Sequence, residues 1–169
     1  MAHLGSLFSW AQGQGLVASN PCRGVERPTA EPAIDFLSRD EVTALLSHAH
    51  AHATDLHPLI ATAVYTGLRK GELFGLRWRD IDLAARRLTV ARSYDGTPKS
   101  GKSRHLRLPA VLVPILTAWA GRCPKTHAGL VFPGRLRDGT WGPLRDTAAL
   151  RGLPRLLRAA GCRVPAHPW

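Results

Sequence analysis

One change of period limits what this chain can fold into. Before Gly67 the apolar residues recur at helical spacing, first Val42, Leu45, Leu46 and Ala49, then Leu59, Ile60, Ala63 and Val64. Beyond "TGLRKGELFGLRW" (66–78) they alternate instead, in "RLTVARS" (87–93) and "RHLRLP" (104–109), with the turn-rich "SYDGTPKSGKS" between them. Helical spacing returns with Val111, Leu112, Ile115, Leu116 and Trp119. Helices on both sides of a short alternating stretch predict an α+β fold, mostly helical, with a small antiparallel sheet whose first strand lies near 78–83.

The flanks are less regular. Residues 1–20 predict an apolar helix bearing Leu4, Leu7, Phe8 and Ala11 and stopped by "SNP"; a lone helix cannot bury its own stripe. Residues 21–35 hold three prolines and no periodicity, as a linker does. The compact domain begins at "SRDE", where Ser38 and Glu41 form a capping box. A basic, leucine-bearing helix is expected over roughly 143–160, with Gly152 and Pro154 weakening its middle.

Charge narrows the partners. The net charge of +11 is unevenly placed: residues 1–68 carry −3 and residues 69–169 carry +14. A basic half of this kind is the footprint of a polyanion or a plain solvated surface. No stretch approaches the roughly 20 apolar residues needed to cross a bilayer, and no secretory signal is readable. Cys22, Cys123 and Cys162 are too widely spaced for a disulfide framework or a zinc module, and free thiols in a reducing compartment fit them better.

Arg69 follows Gly67 at the end of an apolar helix, where the chain turns outward. An arginine there serves either a salt bridge or a phosphodiester, to which its planar fork donates two parallel hydrogen bonds. His48 and His52 share a helix face, but no acid or cysteine joins them or His50 and His57, so a solvated helix end is the simpler reading. "GRCPK" and "GRLRDG" lack the frame of a phosphate loop. The five tryptophans read as packing residues.

The block "ATAVYTGLRKGELFGLRWRDIDLAARRLTV" resembles the catalytic domain of the tyrosine recombinases, the phage-integrase family. Every fixed element of the family's TGLR-x-x-EL-x-x-L-x-W-x-DID signature is present: Thr66, Gly67, Leu68, Arg69, Glu72, Leu73, Leu76, Trp78, Asp80, Ile81 and Asp82. "TPKSGKSRHLRLP" is similar to the family's β-hairpin, "GLVFPG" continues the likeness, and "HPW" resembles the start of its H-x-x-R motif. The resemblance implies residues 1–28 as a remnant of the N-terminal core-binding domain with its linker, and 36–169 as an incomplete catalytic domain. It implies site-specific recombination of double-stranded DNA through a phosphotyrosine intermediate, without metal or other cofactor. It further implies a homo-oligomer on DNA (a tetrameric synapse in the family), no membrane, and a cytoplasmic, nucleoid-associated setting of bacterial or phage origin. Carried over, Arg69 is the first catalytic arginine, Lys99 the hairpin lysine with Lys102 as its rival, and His167 the motif histidine. Arg86, Arg87, Arg92, Lys102 and Arg104 are the expected DNA contacts. Only Pro168 and Trp169 follow His167, and neither Tyr65 nor Tyr94 lies in the nucleophile's place. The expectation is therefore a chain inactive alone, completed by a tyrosine from a partner, or else a non-catalytic DNA-binding remnant or regulator.

Overall fold

The computed structural model describes residues 2–25, 36–91, 103–144 and 146–164. The chain divides into two compact units, Met1–Ile34 and Asp35–Trp169.

The first unit is built on α1 (Ala2–Gly13). Its stop is a tether as well as a break. Asn20 is buried, and its Nδ2 donates to the Gly5 carbonyl at 3.0 Å and to Ser9 Oγ at 2.9 Å. Its Oδ1 accepts from the Cys22 amide at 2.9 Å, so the chain after the helix folds back along it. Leu4, Leu7 and Trp10 remain 50–59% exposed, as expected of a stripe that one helix cannot cover.

In the second unit the capping box forms as read. Glu41 N donates to Ser38 Oγ at 3.2 Å and Ser38 N donates to Glu41 Oε2 at 2.8 Å, which starts α2 (Arg39–His52). α3 (His57–Thr66) has Pro58 in its first turn and ends at Gly67, whose φ of 61° is the left-handed conformation that glycine adopts without strain. α4 (Lys70–Phe74) follows after two residues. A single 3-10 turn (Trp78–Asp80) then leads into β1 (Ile81–Asp82), β2 (Arg87–Val90) and β3 (Arg104–Arg107), an antiparallel sheet in that order. Asp80 thus lies in the turn rather than on the strand expected from 78, because its carboxylate is buried and caps the Arg77 amide at 3.1 Å. α5 (Leu112–Ala120) covers the sheet's inner face.

One element is not expected from the sequence, and the helix expected over roughly 143–160 forms. "GRLRDG" belongs to a second hairpin, β4 (Pro133–Arg135) with β5 (Trp141–Pro143). Asp138 Oδ1 accepts from Thr140 N at 3.0 Å, and Gly139 takes φ 82°, the chemistry of a tight turn. α6 (Asp146–Ala159) runs unbroken through Pro154. Proline removes one helical hydrogen bond, yet Leu153, Leu156 and Leu157 bury against Leu45, Ala49 and Ile60 and hold the helix across the gap.

The main core joins Leu59 and Ala61 of α3, Leu73 and Phe74 of α4, Leu88 and Val90 of β2, and Leu112, Leu116 and Trp119 of α5, with Val131 and Phe132. Trp119 Nε1 donates to the Val131 carbonyl at 2.6 Å, so its one polar atom is satisfied inside. α4 and the inner face of the hairpin are therefore anchored to one mass, which positions the site described next.

Candidate phosphate-binding site

The site begins at the corner between α3 and α4. Gly67 turns the chain, and Leu68 drops into the core. That places Arg69 at the N-terminus of α4 with its side chain 64% exposed. Its backbone amide donates to Glu72 Oε2 at 2.9 Å, and its Nη1 lies 3.4 Å from Glu72 Oε1. The sequence left a salt bridge and an outward cation as alternatives. The geometry contains both, since one nitrogen faces Glu72 while most of the side chain stays in solvent.

Glu72 is the centre of this arrangement, and its role was not read from the sequence. Only 3% of its side chain is exposed. A buried carboxylate needs partners, and Arg104 on β3 supplies them: Nη1 to Oε1 and Nη2 to Oε2, each 2.7 Å. The carboxylate thus accepts from both arginines. The Arg104 hydrogen bonds hold its pKa below the ordinary glutamate value against the opposing effect of burial, with the Arg69 amide adding to the effect. Arg104 is in turn pushed above the ordinary arginine range by the same bonds. The available signal was the E of the TGLR-x-x-E motif; spacing alone presents it as an ordinary first-turn acid.

The strand register sorts the other basic residues. On the sheet, Leu88 pairs with Leu106 and Val90 with Arg104, and this face turns inward. Arg87 pairs with Arg107 and Thr89 with His105 on the other face. Arg87 and Arg104, expected to contact the same ligand, therefore point to opposite sides of the sheet. Arg86 has φ 49° in the turn before β2, and its carbonyl accepts from Leu108 N at 2.8 Å. Arg92, Lys99, Lys102 and His167 lie outside the described residues, as does Tyr94. Among the described residues, the Val90–Arg104 pair is the end of the hairpin that closes on Glu72. Tyr65 sits on α3, partly exposed. The histidines form two pairs, His48 with His52 at 4.5 Å and His50 with His57 at 5.0 Å between ring centroids. Among the described residues no group of three or more His, Cys, Asp or Glu could hold a metal ion. No helix there is long and apolar enough to cross a membrane.

A helical domain around a three-stranded sheet, with an arginine held at a Gly-capped corner by a buried glutamate, defines a tyrosine-recombinase catalytic fold. Residues 35–168 match the phage integrase family, and the chain belongs to it. It is 32% identical over 169 residues to the tyrosine recombinase XerC of Xanthomonas campestris pv. campestris strain B100, covering 96% of this chain and 48% of that protein. It is 34% identical over 127 residues to the prophage integrase IntR of Escherichia coli K12, covering 70% of this chain and 29% of the relative. The fold is shared with a lambda integrase (75–356) dimer bound to a COC′ core site, TM-score 0.71 at 19% identity, over 96% of this chain and 57% of that one. A lambda integrase tetramer bound to a Holliday junction gives TM-score 0.69 at 19% identity, over 98% and 47% of the two chains. The chain spans about half the length, or less, of the curated relatives it matches.

Proposed function

We propose that these 169 residues provide the phosphate-binding part of a site-specific recombinase acting on double-stranded DNA through a phosphotyrosine intermediate. The carrying observation is Arg69: most of its side chain is exposed, while the buried, doubly bonded Glu72 fixes the backbone from which it projects. A guanidinium so placed can donate to both non-bridging oxygens of a phosphodiester and stabilise the charge that grows on them during attack. Lys99 would protonate the leaving 5′-oxygen, and His167 would add a further donor to the phosphoryl group. Arg86, Arg87, Arg92 and Lys102 would contact neighbouring phosphates. Arg104 offers the duplex only what its fork leaves over, since both terminal nitrogens are engaged by Glu72. No metal or other cofactor enters this scheme. Residues 36–169 are the catalytic part in this reading, and residues 1–28 belong to a core-binding domain. The dimeric and tetrameric DNA-bound state of the lambda integrase neighbours supports assembly on DNA.

The attacking tyrosine comes from outside these residues in this scheme, because neither Tyr65 nor Tyr94 occupies the family's nucleophile position. Trapping on a suicide duplex tests this. The 169-residue polypeptide should bind the duplex in an Arg69-dependent manner and form no covalent adduct. An adduct through Tyr65 or Tyr94 would overturn the scheme, and duplex binding indifferent to salt would remove the DNA reading altogether.

A further inference from the structure

The outer face of the sheet carries a feature that the Arg69 site does not use. Arg87 and Arg107 are direct partners across β2 and β3, on the face turned away from the core, and both are exposed. Directly opposite residues of an antiparallel pair stand about 4.5–5.5 Å apart at Cβ, where like charges repel. Neither guanidinium makes an ion pair among the described residues. The acid nearest in register is Asp82 of β1, opposite Arg87, but its Oδ1 is engaged by the Ala85 amide at 2.7 Å in the turn. Two residues further along the hairpin, the same face carries Thr89 and His105, joined Oγ1 to Nδ1 at 3.1 Å. The row is therefore cationic and rich in donors, and among the described residues no carboxylate is committed to either arginine.

We propose that Arg87 and Arg107 form a second phosphate seat, taking a DNA phosphodiester on the outer face of the sheet. The inference rests on the DNA reading above and extends it. Arg104 leaves the inner face of the same hairpin to meet Glu72 and, through it, Arg69. Arg87 and Arg107 leave the other face, so the phosphate they hold is not the one at Arg69. One hairpin thus divides its arginines between the site of chemistry and a separate stretch of backbone. An anion between the two guanidiniums accepts from both and relieves the repulsion their pairing creates.

The experiment is a duplex titration of the full 169-residue chain by fluorescence anisotropy over a series of salt concentrations, comparing wild type, R69A and R87Q/R107Q. The double variant should lower the log–log salt slope by about 0.9, the share of the one phosphate this seat holds. Its effect should add to that of R69A, as for independent sites. Its melting temperature at low salt should equal or exceed that of wild type, because a like-charged pair has been removed. A double variant that melts normally and keeps the wild-type slope overturns the second seat while leaving the Arg69 reading intact. Failure of wild type to bind duplex in a salt-dependent way overturns both. A parallel NMR titration with inorganic phosphate distinguishes the source: amide shifts at 87 and 107 with inorganic phosphate, but none with duplex, would make this a small-anion site and refute the DNA assignment.

Discussion

Arg104 closes both terminal nitrogens on the Glu72 carboxylate at 2.7 Å, across 32 positions of sequence. This bond ties the hairpin to the corner that carries Arg69. The corner is therefore set by an ion pair on the buried Glu72 carboxylate rather than by the short helix α4, whose five residues could not hold it alone.

Glu72→Gln should cost about 2 kcal/mol or more, because the amide turns donors toward a guanidinium and a backbone N–H that both need acceptors. R104K should recover only part of what Arg104→Ala loses, since lysine has no planar fork. Urea midpoints at constant m-value measure both effects. A Glu72→Gln loss within about 0.5 kcal/mol would mean that the carboxylate is solvated rather than structural.

Arg69→Ala is expected to behave in the opposite way. Its side chain is largely in solvent, so stability should change by less than about 0.5 kcal/mol. Duplex affinity should fall modestly and the salt slope by about 0.9, the share of one phosphate contact. Unfolding of the Arg69 variant in thermal melts would instead assign the residue a structural role.

Glu41 should set part of the acid stability. Its Oε1 accepts from the Arg163 amide at 3.0 Å, across 122 positions, and its Oε2 from Ser38 N at 2.8 Å. The Arg163 and Ser38 backbone bonds bring its pKa down to about 2 from 4.5. A carboxyl with a lowered folded pKa contributes stability that is complete above pH 4.5 and disappears as pH falls toward 2. Glu72 titrates in the same direction. Glu41→Gln should therefore reduce, without abolishing, the loss of stability between pH 4.5 and 2, as followed by urea midpoints across that range. An unchanged pH profile would show that the clasp to Arg163 does not form in solution.

Arg86 holds φ 49°, the left-handed region that costs a side-chain-bearing residue energy. Arg86→Gly should raise stability by about 0.5–1 kcal/mol, the relief of strain exceeding the entropy that glycine adds to the unfolded chain. In the DNA-bound reading it should weaken duplex binding at the same time. Destabilisation on this change would mean that the arginine side chain itself supports the turn.

By itself, the sequence determined the local features of this protein. The Ser38–Glu41 capping box, the Gly67 stop of α3, the two hairpin strands and α5 all rest on neighbours within a few positions, where backbone sterics and periodicity leave one answer. The TGLR-x-x-EL block carried the family, and with it the prominence of Arg69. Tertiary structure alone decided the rest. It buried Glu72 beneath Arg104, joined Glu41 to Arg163, paired Pro133–Arg135 with Trp141–Pro143, and carried α6 through Pro154. It also sent Arg87 and Arg104 to opposite faces of one sheet, although a list of basic residues treats them alike. The reason is physical: an alternating pattern states that successive side chains face opposite ways, but which face meets the core, and which carboxylate waits there, depends on segments that touch only once the chain has collapsed.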